Sequence, residues 1–442
     1  MIVFDTIVSE CTAPYKSALS IVRLVGSLSK EIASKMVKKT IDSFSPSHAY
    51  YLSIYEDKTK EDTIIDKALV IFFEAEHSFC GEDTFEFYVH GSRIIVNELI
   101  ETTIRYGARR AKGGEFTYKA YINGKMELVE SEAINELINA RTKRSKNFAL
   151  KTLNGENSKV LNSLKEKLNL LNAEIEVNID YPEYDEDASL IEKTRELLPS
   201  LIKEAKDLLQ GSYQSTYLFS GVKIAIVGEP NVGKSTLLNK ILGYSKAIVT
   251  SIPGTTRDVV EGEREIDGII YKFLDTAGIR ESSDVIENIG IEKSRESIKE
   301  ADVVLYLSDK GDYVSLGLEE ELRDKPVIYI GSKSDIAKVE KCDITISQDD
   351  SSLDDLFSLI KKKLNLIDED KAGFSSKRDI DLLSSFVNTL DEIELDLKED
   401  ITIDIVEIKL LDAARKLDEL IGVESTLEDV YDTIFKNFCI GK

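Results

Sequence analysis

Gly228-Glu229-Pro230-Asn231-Val232-Gly233-Lys234-Ser235 decides how the middle of this 442-residue chain folds. Its spacing, Gly-x4-Gly-Lys-Ser, is that of a phosphate-binding loop, and each fixed position has a physical reason. The glycines let the backbone wrap a phosphate with N–H groups pointing inward. Lys234 reaches the outer phosphates, and the Ser235 hydroxyl is suited to hold Mg²⁺. The flanks agree. Val222 to Val227 is a short β-branched run that reads as a buried strand. Ser235-Thr236-Leu237-Leu238, continuing to Leu242, reads as a helix whose N-terminus faces the anion.

Composition bounds the rest. Charged residues make up 31% of the chain and the formal net charge is −24. A protein this acidic does not hold nucleic acid by bulk electrostatics, so any RNA contact must use a local basic patch or a partner. No run approaches the ~18 apolar residues of a membrane span. The start, Met1-Ile2-Val3-Phe4-Asp5, is not a signal peptide, and a cytoplasmic location is expected. The four cysteines (Cys11, Cys80, Cys342, Cys439) form no Cys-x2-Cys pair, which suits a reducing compartment and argues against structural zinc. Only three histidines occur, so a His-based metal site is not expected.

Pattern changes divide the chain. Residues 1–125 mix strand-like runs (Ala18 to Val25, Ala68 to Phe73, Phe85 to Val89) with helical stretches and glycine turns, which predicts an α+β domain. In 126–215 apolar residues recur at three and four, as at Ala133, Ile134, Leu137 and Ile138, then at Leu161, Leu164, Leu168 and Leu171. That is helical texture, broken at Asp180-Tyr181-Pro182. Residues 216–372 alternate strand and helix as a doubly wound sheet requires. Residues 373–442 are helical again, with Leu382, Leu383, Phe386, Val387 and Leu390 on one face. The expectation is a multidomain α/β plus all-α protein: an N-terminal α+β domain, a discontinuous helical domain, and a Ras-like P-loop domain inserted into it.

More of a nucleotide site can be placed by sequence. Thr250-Ser251-Ile252-Pro253 leads into Gly254-Thr255-Thr256, where a threonine can complete a Mg²⁺ shell and sense a γ-phosphate. Asp275-Thr276-Ala277-Gly278 follows the apolar run Ile269 to Leu274, so that Asp275 can bind Mg²⁺ through water and the Gly278 amide can meet the γ-phosphate. After Val327 to Ile330 an Asn-Lys-x-Asp is expected, and the chain has Ser332-Lys333-Ser334-Asp335. Asp335 can accept two hydrogen bonds from the guanine edge, which adenine cannot supply. Ser332 reaches less far than asparagine, which predicts weaker GTP binding with guanine preference kept. Ser347, before Gln348, is expected beside the base.

Together these motifs resemble the Era-like group of GTPases. Asp5-Thr6-Ile7, Ser78-Phe79-Cys80-Gly81-Glu82-Asp83 with His90-Gly91, and the terminal Phe438-Cys439-Ile440-Gly441-Lys442 resemble the MnmE (TrmE) family of tRNA modification GTPases over essentially the whole length. Departures are Ser332, Gln348, Ser92 where a second glycine is usual, and Tyr15-Lys16-Ser17-Ala18 where the family is glycine-rich. The resemblance implies potassium-stimulated hydrolysis without an arginine finger. K⁺ would be held by Asn231 and by main-chain oxygens near Thr250, Ile252 and Thr255, with Mg²⁺ on Ser235 and Thr256. It makes Glu287 the water-positioning residue; by sequence alone Glu287 is a solvated charge. It also implies a tetrahydrofolate derivative (5-formyl or 5,10-methylene) held in the N-terminal, dimerising domain by Arg23, Glu86 and Lys125, with Lys442 nearby. By strand pattern alone Arg23 and Glu86 would face solvent. Cys439 could be a nucleophile or a buried cysteine.

The implied activity is GTP hydrolysis coupled to adding an aminomethyl or carboxymethylaminomethyl group at C5 of a tRNA wobble uridine. The implied assembly is a homodimer joined by the FAD-binding MnmG (GidA) protein in a heterotetramer. Basic clusters at Arg105, Arg109, Arg110 and Lys112 and at Arg141, Lys143, Arg144 and Lys146 are candidate tRNA contacts, with solvated helix faces the commoner fate of such clusters. The alternative, a ribosome-assembly switch, predicts a C-terminal RNA-binding module; the acidic helices of 373–442 do not read as one.

Overall fold

A computed structural model describes residues 5–180, 187–243, 260–274, 287–313, 316–333, 339–346, 351–366, 371–399, 403–423, 434–438 and 441. In chain order the strands are β1 (Ile7–Glu10), β2 (Leu19–Val25), β3 (Ala49–Tyr55), β4 (Ile64–Phe73), β5 (Thr84–His90), β6 (Arg109–Arg110), β7 (Val222–Gly228), β8 (Val260–Ile266), β9 (Ile269–Leu274), β10 (Val303–Ser308), β11 (Val327–Gly331) and β12 (Ile344–Thr345). The helices are α1 (Ser29–Met36), α2 (Arg93–Arg105), α3 (Glu115–Ile122), α4 (Leu128–Asn139), α5 (Lys143–Leu153), α6 (Glu156–Asp180), α7 (Asp187–Ser220), α8 (Lys234–Gly243), α9 (Glu287–Glu300), α10 (Glu319–Leu322), α11 (Ser351–Lys363), α12 (Lys377–Lys398) and α13 (Ile403–Ile421). Two compact units result: Met1–Ile138 with Thr152–Arg195 and Glu392–Lys442, and Asn139–Lys151 with Glu196–Asp391.

The first unit carries a sheet of order β3-β4-β5-β2-β1-β6, antiparallel except for the parallel β1–β6 pair. Strand alternation sends Val22, Leu24, Phe85, Phe87 and Val70 to one face, where they pack with Ile32 and Met36 of α1 and Val96 and Leu99 of α2. The opposite face carries Arg23 and Glu86, paired directly across β2 and β5. In the helical part, Leu161, Leu164, Leu168 and Leu171 of α6 are buried, as their spacing predicts, and α13 packs on α6. Lys165 meets Asp418 at 2.6 Å. Ala133 and Ile134 are buried, but Ile138, on the same expected stripe, is 42% exposed at the end of α4.

In the second unit the sheet order is β12-β11-β10-β7-β9-β8, parallel except for the β8–β9 hairpin. β7 is buried on both faces. Val222, Ile224 and Ile226 pack with Leu237 and Ile241 of α8 and with Leu356 and Phe357 of α11, while Ala225 and Val227 pack with Ile298 of α9. Strands with cover on both sides read as continuous apolar runs, which is what Val222 to Val227 is. β9 lies on one side of β7 and β10 on the other, so the chain leaves the central strand in both directions. Ligand crevices of doubly wound sheets open at the carboxyl end of such a strand, here the position of the phosphate loop.

Residues 141–148 join this unit through specific contacts that the helical periodicity did not signal. The Thr142 hydroxyl donates to the Gly268 carbonyl at 2.8 Å, Arg141 grips the Glu263 carboxylate, and Phe148 is 3% exposed among Leu218, Val222, Ile269 and Tyr271. Phe148→Ala removes a buried ring and leaves a cavity, a cost of about 3–5 kcal/mol. The urea transition of the unit should move to lower concentration with fluorescence or circular dichroism as the readout, whereas Ile138→Ala should leave it in place.

Candidate functional site

The phosphate loop takes the geometry that its glycines permit. Gly228 has φ +152°, and a Cβ there would lie 2.4 Å from the Leu307 carbonyl oxygen. Gly233, at φ +103°, has open space on that side. Asn231 has φ +64°, a left-handed conformation that asparagine tolerates better than most residues, and it is exposed. Val232 is buried in the sheet's core and anchors the loop from beneath. Lys234 and Ser235 open α8, with Ser235 half-buried and Thr236 exposed.

The Lys234 ammonium donates to the Gly228 and Glu229 carbonyls at 2.7 and 2.8 Å. Burial lowers its pKa, opposed by Glu229. A partly desolvated cation at a helix N-terminus, in a glycine loop, makes a site for a polyphosphate.

At the expected base-reading position, Ser332 follows β11, with its amide donating to the Ser308 carbonyl at 2.9 Å. Its side chain is buried, and its hydroxyl has no hydrogen-bond partner among the described residues. A buried unpaired hydroxyl costs stability unless a water or ligand meets it. Lys333 sits at φ +54° and pairs with Asp309 at 2.9 Å, a bond that holds the Asp309 carboxyl below its ordinary pKa. Glu287 is the first residue of α9, and its side chain lies outside the described set. So do Thr250, Ser251, Ile252, Pro253, Gly254, Thr255, Thr256, Asp275, Thr276, Ala277, Gly278, Asp335, Ser347, Cys439 and Lys442.

The N-terminal candidates form a second constellation. Arg23 does not face solvent: its Nε and Nη2 both donate to Glu86 at 2.8 Å, and its guanidinium lies 5.5 Å from the centre of the Phe79 ring and 5.4 Å from that of Phe116. The Tyr88 hydroxyl donates to the other Glu86 oxygen at 2.7 Å. Burial pulls the Arg23 pKa down, but Cys11, Glu86 and Cys80 outweigh it and the net direction is up. Burial, with help from Glu86, pushes Tyr88 up to about 12.

Lys125 reaches the neighbouring turn, where its ammonium donates to the Glu76 carbonyl at 2.6 Å and its stem lies against Gly81. Sequence reasoning missed Tyr88, Phe79, Phe116 and the buried Lys119–Glu82 pair at 2.6 Å. Period-two alternation from Glu86 would have placed Tyr88 on the same face. Among the described residues no cluster of three His, Cys, Asp or Glu could hold a metal, and no helix is long and apolar enough to cross a membrane.

A phosphate loop at the switch point of a doubly wound sheet defines a P-loop nucleotide-binding protein, here combined with an α+β N-terminal domain and a helical domain. Residues 6–125 match the family model described as the GTP-binding protein TrmE N-terminus, and residues 128–439 match that of the MnmE helical domain. The chain belongs to the MnmE family of tRNA modification GTPases. It is 36% identical over 451 residues to the tRNA modification GTPase MnmE of Aquifex aeolicus, covering 99% of this chain and 100% of that protein. The protein of the same name from Ureaplasma parvum serovar 3 is 35% identical, with 99% and 100% covered. That from Bacillus velezensis is 36% identical, again with 99% and 100% covered.

Two outcomes are expected. Gly228→Ala forces a side chain onto the Leu307 carbonyl in a left-handed conformation, so nucleotide affinity by calorimetry should fall about tenfold or more. Burial pushes the Cys80 thiol up to about 12. Its proton is therefore kept through neutral and mildly alkaline pH, and native protein treated with iodoacetamide at pH 8 should show Cys80 unmodified by peptide mass spectrometry, becoming modified only in denaturant.

Proposed function

We propose that this chain hydrolyses GTP in order to modify tRNA. With an FAD-dependent partner it adds an aminomethyl or carboxymethylaminomethyl group at C5 of the wobble uridine. The observation that carries this reading is the match, over practically the full chain, to relatives named tRNA modification GTPases. The ribosome-assembly alternative has no such support, since the N-terminal family match lies outside the nucleotide-binding sheet.

The chain's residues fit the roles. Gly228, Asn231, Val232, Gly233, Lys234, Ser235 and Thr236 cradle the phosphates, and Ser332, Lys333, Asp335 and Ser347 bind guanine. The half-buried Ser235, which follows Lys234 at the start of α8, suits Mg²⁺, with Thr256 as its companion and Asp275 acting through water. Thr250 to Thr255 and Thr276 to Gly278 contact the γ-phosphate side. The exposed Asn231 carbonyl suits K⁺, together with oxygens of Thr250, Ile252 and Thr255. Bound cations offset the charge that builds on the phosphates. Glu287 orients the attacking water.

In the N-terminal domain, Arg23, flanked by two aromatic rings and paired with Glu86, suits the charged and hydrogen-bonding groups of a tetrahydrofolate derivative, with Lys125 and Lys442 as further ligands. The ligand would supply one carbon; the protein binds and orients it. We assign 1–125 to this domain and to dimerisation, 126–215 and 373–442 to the helical domain, and 216–372 to the GTPase domain. The working assembly is a cytoplasmic homodimer with an MnmG-type flavoprotein in a heterotetramer.

Phosphate-release assays test the hydrolytic half. GTP should be turned over and ATP not, K⁺ should exceed Na⁺, and Glu287→Ala should lower kcat at least tenfold with GTP binding intact. Preference for ATP, equal rates in the two salts, or full turnover by the Glu287 variant would each remove the corresponding assignment.

A further inference from the structure

Three arginines of the basic clusters marked in the sequence are spoken for. Arg105 pairs with Glu56 at 2.8 Å, Arg109 with Asp5 at 2.9 Å and with the buried Glu115, and Arg141 with Glu263. Arg110 and Lys436 are different: both are exposed, and neither makes an ion pair among the described residues. The fold brings the chain segments that carry them together. A Cβ on Gly113 would lie 2.6 Å from the Phe438 carbonyl oxygen and 3.3 Å from that of Lys436, and one on Gly114 would lie 2.4 Å from that of Phe435. Gly113 and Gly114, three and four residues after Arg110, are thus against the backbone of 435–438, and the exposed Lys112 directly precedes them in the chain.

This meeting place rims the Arg23 constellation. Gly441 follows the same segment, and a Cβ there would lie 2.8 Å from Cys11 Cα. Cys11 packs against the cluster of Ile7, Cys80 and Phe116, whose Phe116 ring lies against Arg23. Four residues beyond Cys11 stands Tyr15, 75% exposed, in the stretch that departs from the family's glycine-rich pattern. An exposed aromatic ring and exposed cations match the chemistry of an unpaired RNA loop, which offers phosphates to the cations and a base face to the ring. On a chain of net charge −24 only a local patch can do this.

Resting on the functional reading above, we propose that Arg110 and Lys436 hold backbone phosphates of the tRNA, and that Tyr15, in the loop between β1 and β2, stacks an unpaired base. Phosphate contacts weaken with salt and stacking does not, so the two roles separate experimentally. Full-length protein is titrated with unmodified tRNA by fluorescence anisotropy across a KCl series. Arg110→Ala and Lys436→Ala should each weaken binding roughly three- to tenfold near 0.1 M salt and lower the slope of log affinity against log salt by about one.

Tyr15→Ala should weaken binding about fivefold or more with the slope unchanged, and Tyr15→Phe should restore it. Arg323→Ala, an exposed cation elsewhere, should bind as wild type. Thermal unfolding of every variant should match wild type, since all four side chains are exposed. Wild-type affinity and slope in the Arg110 and Lys436 variants would overturn the proposal. So would variants that keep tRNA but lose the flavoprotein partner, which would make the patch a protein interface. A wild-type chain that holds no tRNA would overturn the functional reading itself, and this inference with it.

Discussion

The burial of β7 on both faces is the constraint on which the nucleotide-binding unit depends. With Ile224 and Ile226 packed to one side and Ala225 and Val227 to the other, the strand has no freedom to tilt or slip. Its neighbours β9 and β10 are then fixed by parallel register, and the chain must leave its carboxyl end at Gly228, under the Leu307 carbonyl. Only a residue without a side chain fits there. The loop, the inward turn of Lys234 and the entry of α8 follow from that one closed position. The Phe148 ring, from a helix far earlier in the chain, helps seal the same core.

The N-terminal unit depends on a different device. Arg23 and Glu86 face each other across β2 and β5 on the sheet face away from the aliphatic core. Taking both charges out of water is costly, and breaking such a pair costs more than forming it yields. The Phe79 and Phe116 rings and the Tyr88 hydroxyl offset that cost by meeting the remaining surface of the pair. A largely buried ion pair is weak evidence of stability alone and suits the orienting of a polar ligand.

The parts legible in the sequence were those where one residue type is physically required. Gly228, Gly233 and Lys234 belong to this group, and so do the strand at Ile269 to Leu274 and the leucine stripe of α6. What was illegible depended on which face of an element is covered. Alternation puts Glu86 and Tyr88 on one side of β5 but cannot say that aromatic rings close over that side. Phe148 stands in a short apolar stretch of a mostly polar helix, and no periodicity tells which neighbour it seals. Ile138 fits the helical stripe yet ends exposed, because α4 stops there. The pairing of Arg105, Arg109 and Arg141 with carboxylates distant in sequence could not be read from a list of charges, and it separates spent cations from available ones.

On the proposed function, the nucleotide cycle at Gly228 to Ser235 serves wobble-uridine chemistry in the N-terminal domain. Mass spectrometry of nucleosides from tRNA of cells lacking the protein, re-expressing either the wild-type chain or Lys234→Ala, tests it directly. The C5-modified wobble uridine should disappear in the deletion, return with the wild-type chain and not return with the variant. Unchanged wobble modification in cells lacking the protein would contradict it.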